Sequence, residues 1–181
     1  GISLGRAKKI LNTYQNVYPA IFEYMEFVEK FIKKNEYAYS IFGRRRNLPD
    51  IKSKDFKVVN RAARQGLNFT IQSAASDILL CGLLGTQRRL KRESVDARPV
   101  ATVHDSIELL CHKDHISKCL EIVYDELVNY PFMKEKFNIH FDVPLKIDAE
   151  VGHSFGDGIE IDFKDGKPQN LQMVREYMNE N

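Results

Sequence analysis

Apolar positions recur at helical spacing through the first half of the chain and at strand spacing in parts of the second. Ala7, Ile10, Leu11, Tyr14 and Val17 repeat every three or four residues behind Ser3, a residue type that caps helix starts, which predicts an amphipathic helix over about 4–17. Pro19 suits a first helical turn and opens a second helix, ending near Asn35, whose stripe of Ile21, Phe22, Met25, Val28, Phe31 and Ile32 reads as core packing. Residues 37–42 are aromatic and β-prone, predicting a short strand, and Gly43 then introduces an irregular basic crossing over 44–50. From about Phe56 to Leu84 no proline intervenes, and Ala63, Leu67, Ile71, Ala74 and Ile78 fall on one arc, the expected core side of a long helix.

Two β-prone runs, 100–103 and 107–111, flank His104, Asp105 and Ser106, predicting a tight hairpin with an acid at its tip. Ile116, Leu120, Val123 and Leu127 predict a further amphipathic helix. The plainest strand signal is Phe141, Val143, Leu145, Ile147, Ala149 and Val151 alternating with Asp142, Pro144, Lys146, Asp148, Glu150 and Gly152, one face for the core and one for water. After Gly158 the chain is polar, with a short strand expected at 159–163 and a terminal helix at 171–178. No internal repeat or linker interrupts it.

At 181 residues, 43% hydrophobic and 29% charged, the chain suits a globular domain that buries a core, which excludes the disordered and low-complexity classes. No apolar run reaches the roughly 18 residues of a bilayer span, and the start shows neither a secretory nor a transit pattern, so a soluble cytoplasmic chain without a membrane partner is expected. Three sparse cysteines, Cys81, Cys111 and Cys119, read as reduced thiols rather than a disulfide framework. The net charge of +2 conceals a division. Residues 1–99 hold 19 Lys and Arg against 9 Asp and Glu, while 100–181 hold 8 against 16. A basic half suits a polyanion, and an acidic half suits divalent cations.

Beside the apolar arc of the long helix, Arg61, Arg64, Gln65, Asn68 and Gln72 fall together at i, i+3, i+4, i+7 and i+11, with Arg88, Arg89, Lys91 and Arg92 beyond. Such a row on an arbitrary helix is solvated surface. Here guanidinium and amide groups, able to reach phosphates and minor-groove acceptors without a sequence preference, sit in the basic half, which points to duplex nucleic acid. Asp105 alone is a turn residue. Its setting gives it more meaning: strand, His-Asp, strand, downstream of that helix.

This combination resembles the C-terminal part of the polymerase domain of family A DNA polymerases, the bacterial polymerase I and phage replicative type, over about residues 1–155. Tyr39-Ser40-Ile41-Phe42-Gly43-Arg44-Arg45-Arg46-Asn47-Leu48-Pro49-Asp50-Ile51 is similar to the family's Gly-Arg-Arg block ending in Leu-Pro-Asp-Ile. Arg64-x-x-x-Asn68-x-x-x-Gln72 followed by Ala74-Ala75-Ser76-Asp77-Ile78 resembles its long palm helix, and Val103-His104-Asp105 its motif C. Val143-Pro144-Leu145 and Gly152-His153-Ser154-Phe155 resemble the closing palm strand, without the aromatic Trp that commonly ends it.

The resemblance implies an α+β fold, an antiparallel palm-like sheet made of the 99–111 hairpin and the 142–153 strand under long covering helices. Residues 1–156 would be the palm and helical segment, and 157–181 a C-terminal tail. Asp105 would be one of two palm aspartates holding two Mg²⁺ ions about 3.5–4 Å apart. His104 would touch the primer terminus. Arg61, Arg64, Asn68 and Gln72 would follow the primer–template, and Arg44, Arg45 and Arg46 would contact its backbone. Family motif C carries a glutamate where this chain has Ser106; Glu108, two residues along the same strand face, is the candidate substitute metal ligand. The family's first catalytic aspartate and its fingers helix, which binds dNTP, precede the matching segment. The chain alone is therefore expected not to polymerise, and to need those segments from a companion polypeptide or from the rest of a longer protein. A DNA-binding or structural remnant, or a partner-binding fragment of a split polymerase, is the alternative. Cys111, His112, His115 and Cys119 are four nominal zinc ligands, but adjoining residues at a strand end point apart, which argues against a site.

Overall fold

The computed structural model describes residues 1–180. The chain forms two compact units, Gly1–Ala74 and Ala75–Asn181.

In the first unit the helix boundaries follow the local sequence signals. Helix α1 (Leu4–Val17) begins where the Ser3 hydroxyl accepts the Arg6 N–H at 3.3 Å, and α2 (Pro19–Asn35) begins at its proline. Helix α2 ends at Glu36, left-handed at φ 62°, whose N–H returns to the Ile32 carbonyl at 2.8 Å. The expected core stripes are mostly exposed. Helix α1 buries no residue and α2 only Val28 and Ile32, while Val17 is 59% and Ile21 44% exposed. The core of this unit is the small cluster of Val28, Ile32, Ala38, Leu48, Ile51 and Ala62, reached only by the last turns of α2. Strands β1 (Tyr37–Tyr39) and β2 (Arg45–Asn47) form an antiparallel hairpin, Tyr37 opposite Asn47. The basic crossing expected as irregular is therefore in part a strand, because its backbone completes the ladder that β1 needs.

Helix α3 (Phe56–Arg92) starts where the Asp55 carboxylate accepts the Lys57 N–H at 2.8 Å, and it runs on past the predicted end at Leu84. Its buried face in the first unit is Ala62, Gly66 and Ser73, one position round from the predicted arc, and Ile71 is 61% exposed. Gly66 sets this rotation. A Cβ there would collide with the Ile32 and Leu48 side chains, so the absent side chain is what lets the α2 end and Leu48 settle on α3. Helix α3 contains an 18-residue window of mean hydropathy 1.3, long and apolar enough by length and composition alone to cross a bilayer, although polar residues interrupt its apolar ones.

The second unit contains β3 (Ala97–Val103), β4 (Ser106–Cys111), α4 (Ile116–Tyr124), α5 (Pro131–Phe137), β5 (Glu150–Ser154), β6 (Asp157–Glu160), β7 (Phe163–Lys164), β8 (Lys167–Pro168) and α6 (Leu171–Glu180). A π-helical turn, Asp125–Asn129, follows α4 and takes in Leu127. The fold class is α+β as the resemblance implied, but the single expected sheet is replaced by two-stranded antiparallel ladders, β3 with β4, β5 with β6 and β7 with β8. Along the predicted 141–151 strand, exposure alternates only from Leu145: Leu145, Ile147 and Ala149 are half-buried and Lys146 and Asp148 exposed, whereas Val143, expected on the core face, is 74% exposed. Pairing begins only at Glu150, with one further bond from the Ile161 N–H to the Ala149 carbonyl at 2.8 Å. Alternation reports a buried face; a ladder also needs a partner edge, and Pro144 lacks the N–H to join one.

Among the described residues, two buried clusters hold this unit. Ile116, Leu120, Ile161 and Val174 form one, with Ala149, Val151 and Leu171 against them; Leu90, Cys119 and Ile122 form the other. At their edge Arg89 donates to Glu93 at 2.7 Å and to Asp125, and Lys118 lies 3.0 Å from Glu93. Hydrogen bonds from Arg89 and Lys118 hold the Glu93 carboxyl down at about 2. A depressed folded value contributes stability that is present above the ordinary carboxylate range and lost as pH falls toward 2. Glu93→Gln is therefore expected to flatten the fall of the melting temperature between pH 5 and pH 2; an unchanged slope would contradict it.

Candidate active site

The polar row on α3 forms an exposed surface. Arg61, Arg64, Gln65, Asn68 and Gln72 are all exposed, within the first unit. Arg61 reaches the Asp50 carboxylate at 3.5 Å, an exposed pair of little energetic weight, whereas Arg64, Asn68 and Gln72 make no side-chain hydrogen bond among the described residues. These three donor-bearing side chains on one helix face are thereby left for an external acceptor.

The β1–β2 hairpin holds three arginines by different means, two of them against α3. The Arg44 guanidinium donates to the Ser73 carbonyl of α3 at 3.3 Å, which ties the hairpin to the helix. Arg45 stacks on the Tyr37 ring at 3.5 Å from its centroid, and Arg46 lies 5.9 Å from the centre of Phe69. Stacking keeps a guanidinium plane fixed while its edge nitrogens stay open to an anion. Tyr37 and Phe69 were not singled out from the sequence. Only the strand register brings Tyr37 to Arg45, and no local spacing signals it.

In the second unit, β3 and β4 close on the pair Val103 and Ser106, leaving His104 and Asp105 as a two-residue loop. His104 is left-handed at φ 54°, a conformation that histidine adopts more readily than most residues. Both loop side chains are exposed, and Asp105 makes no side-chain hydrogen bond among the described residues. The Ser106 hydroxyl lies 3.1 Å from the Val103 carbonyl and 2.8 Å from the Glu108 carboxylate. One hydroxyl proton serves two acceptors, and the second contact puts Glu108 on the Ser106 face, as strand alternation requires. The hairpin thus gathers His104, Asp105, Ser106 and Glu108; Arg64, Asn68 and Gln72 belong to the other unit.

The nominal zinc ligands are otherwise engaged. His115 Nδ1 accepts the Asp96 N–H at 2.7 Å, His112 Nδ1 accepts the Asp114 N–H at 3.3 Å, and Cys119 is buried beside Leu90 and Ile122.

Residues 1–157 match the sequence signature described as DNA polymerase family A. The chain belongs to this family. It is 31% identical to the DNA polymerase of Bacillus phage SP01 over 155 residues, 86% of this chain and 17% of that protein. It is also 31% identical to DNA polymerase I of Bacillus caldotenax over 156 residues, again 86% of this chain and 17% of the relative. Among solved structures, the POL domain of Pol1 from M. smegmatis, in complex with DNA primer-template and dNTP, matches 80% of this chain and 24% of its own with a TM-score of 0.71 at 26% identity. The family A match therefore covers both the α3 row and the His104–Asp105 hairpin, and it stops before most of the segment that supplies Ile161 and Val174 to the core.

Proposed function

We propose that this chain is the palm and primer–template-binding part of a DNA-dependent DNA polymerase, supplying the motif C aspartate. The observation that carries the reading is the two-residue hairpin loop presenting Asp105 inside the family match. The solved relative bound to primer-template and dNTP supports both as partners. The reaction is in-line attack of a primer 3′-oxygen on the α-phosphate of a dNTP. Bound Mg²⁺ would polarise that oxygen and offset charge on the leaving pyrophosphate. The donor set fits this ion only in part: Asp105 is one exposed carboxylate, Glu108 a second on the same hairpin, and no group of three acidic, histidine or cysteine side chains gathers among the described residues. The remaining ligands and the dNTP site come, in this reading, from segments that precede the match in the relatives, on a companion polypeptide or in a longer protein, working in the cytoplasm.

In this reading Asp105 holds the metal, and His104 contacts the primer terminus. Arg64, Asn68 and Gln72 donate to minor-groove acceptors shared by all correct pairs, and Arg61 with Arg44, Arg45 and Arg46 meets phosphates. Arg64→Ala is expected to weaken duplex binding evenly across sequences and to lower the slope of log affinity against log salt by about 1; an unchanged slope would remove Arg64 from the interface. Glu108→Ala is expected to lower extension roughly tenfold, since its carboxylate accepts the Ser106 hydroxyl on the same hairpin face. Unchanged activity would end its candidacy as a ligand.

The test of the whole is Mg²⁺-dependent primer extension by the chain alone and mixed with a polypeptide carrying the upstream polymerase segments. Extension in the mixture only is the expected result. Tight DNA binding with no extension in any mixture would favour the second reading, a DNA-binding remnant, for which Ser106 in the place of a carboxylate is the specific support.

A further inference from the structure

Three carboxyl groups crowd one guanidinium where the end of α3 meets the π-helical turn after α4. Arg89 donates through Nε to Glu93 at 2.7 Å and through Nη1 to Asp125. The third carboxyl, Glu126, brings an oxygen only to within 3.8 Å of the same Nη1, beyond hydrogen-bond reach. Glu126 is 6% exposed. Its Oε2 is one of two buried side-chain oxygens without a hydrogen-bond partner among the described residues, the other being Thr86 Oγ1. Glycines make this burial possible. A Cβ on Gly85 would collide with Glu126 Oε2, and one on Gly82, a turn earlier on α3, would collide with the Leu127 side chain. The turn Asp125–Asn129 therefore seats on α3 at two positions that have no side chain.

The charges around Glu126 decide its protonation. On α3, the hydrogen bonds of Arg89 go to the other two carboxylates, and exposed Arg92 lies 3.5 Å from Glu93, which also takes exposed Lys118 of α4 at 3.0 Å. From α5, Lys134 stands over the Tyr130 ring at 4.4 Å, Glu135 pairs with Lys136 at 2.6 Å, and the Phe132 ring is occupied by Arg88 at 4.8 Å. Asp125, beside Glu126 on the turn itself, adds a negative charge. A carboxylate buried without a hydrogen-bonding cation sheds its charge by taking up a proton. Burial accordingly pushes the Glu126 carboxyl above the ordinary carboxylate range, against the pull of Arg89.

We propose that Glu126 seats on α3 as the uncharged acid and that loss of its proton releases the turn Asp125–Asn129 from Gly82 and Gly85, so that this junction is a pH-sensitive clasp. The turn directly follows α4, whose Cys119 and Ile122 pack with Leu90 against Leu109 of β4. The clasp therefore holds the end of the helix on which the Asp105 hairpin rests. A carboxyl raised in the folded chain contributes stability that is complete below its unfolded value and is lost as pH rises through the folded one, the reverse of Glu93.

The experiment titrates the full chain from about pH 4 to about pH 8 and follows the Glu126 side-chain carboxyl by carbon-13 NMR, assigned through the backbone of the native protein so that the titration stands whether or not a variant folds. The Glu126 signal is expected to titrate above the ordinary carboxylate range. Over the same interval the hydrogen-exchange protection factors of the 125–129 amides should fall by at least about tenfold in the native chain and stay constant in the neutral isostere Glu126→Gln. The melting temperature of Glu126→Gln, relative to that of the native chain, should rise by at least about 3 °C from the acid to the alkaline end, the other titrating groups being common to both. A Glu126 signal within the ordinary range, protection that does not fall as the signal titrates, or a melting difference constant with pH would each overturn the proposal.

Discussion

Asp105→Ala is expected to lower primer extension by at least about a thousandfold in any assembly where the chain is active, with primer–template affinity unchanged within about threefold. A thousandfold is roughly 4 kcal/mol of barrier, the scale on which removing a charged group from a metal-dependent phosphoryl transfer acts. Nothing in the fold shares that cost. Asp105 is exposed, makes no side-chain hydrogen bond among the described residues, and does not occupy the left-handed position of the loop, which belongs to His104. The hairpin is closed instead by the Val103 and Ser106 pair and by the ladder behind it. The substitution should therefore shift stability by less than about 0.5 kcal/mol. Separating extension, binding and melting in one variant is what makes the test sharp. A variant that keeps a tenth of its activity, or that melts several degrees lower, would refute the assignment of Asp105 to the chemistry.

Parts of this arrangement are legible in the sequence because their causes are local. Ser3 and Pro19 mark helix starts, and α1 and α2 begin there. The His104–Asp105 loop sits between two β-prone runs, so its position follows from turn chemistry, and its meaning from the residues around it. Parts that depend on distant partners are not legible. The rotation of α3 toward Ala62, Gly66 and Ser73 follows from side chains of α2 and Leu48 seating against a glycine, which a count of apolar residues cannot register. The 145–149 run keeps its alternation without a ladder, since pairing is a property of two segments, and Val143 before it is exposed. Periodicity also cannot say whether an apolar stripe is covered: the stripes of α1 and α2 are real, and most of their residues face outward. The Arg45–Tyr37 stack likewise exists only once β1 and β2 have paired.

The second large effect concerns residues that lie beyond the family match. Composition alone makes the segment after Gly158 a polar tail, yet it contributes Ile161 and Val174, 5% and 1% exposed, to the cluster with Ile116 and Leu120. It is also fastened by polar contacts. The Asn170 side chain accepts the Asp162 N–H at 3.1 Å and donates to the Glu160 carbonyl at 2.7 Å, and the Tyr177 hydroxyl reaches the Asp157 carbonyl at 3.3 Å. Deleting residues 158–181 removes two fully buried aliphatic side chains, each worth about 1.5–3 kcal/mol, and uncovers Ile116, Leu120 and Val151 as well. Folded domains have only about 5–15 kcal/mol in total. The truncated chain is therefore expected to lose cooperative unfolding of its second unit, seen by circular dichroism in urea, and to aggregate through the uncovered face. Asn170→Ala, which leaves the apolar contacts in place, should cost only about 1–2 kcal/mol by stranding a backbone donor and acceptor. A truncated chain that unfolds at the urea midpoint of the full one would show that the segment is dispensable. If it behaves as expected, the limits of the family match mark where the shared chemistry lies, while the unit that folds and holds the hairpin in place extends through α6.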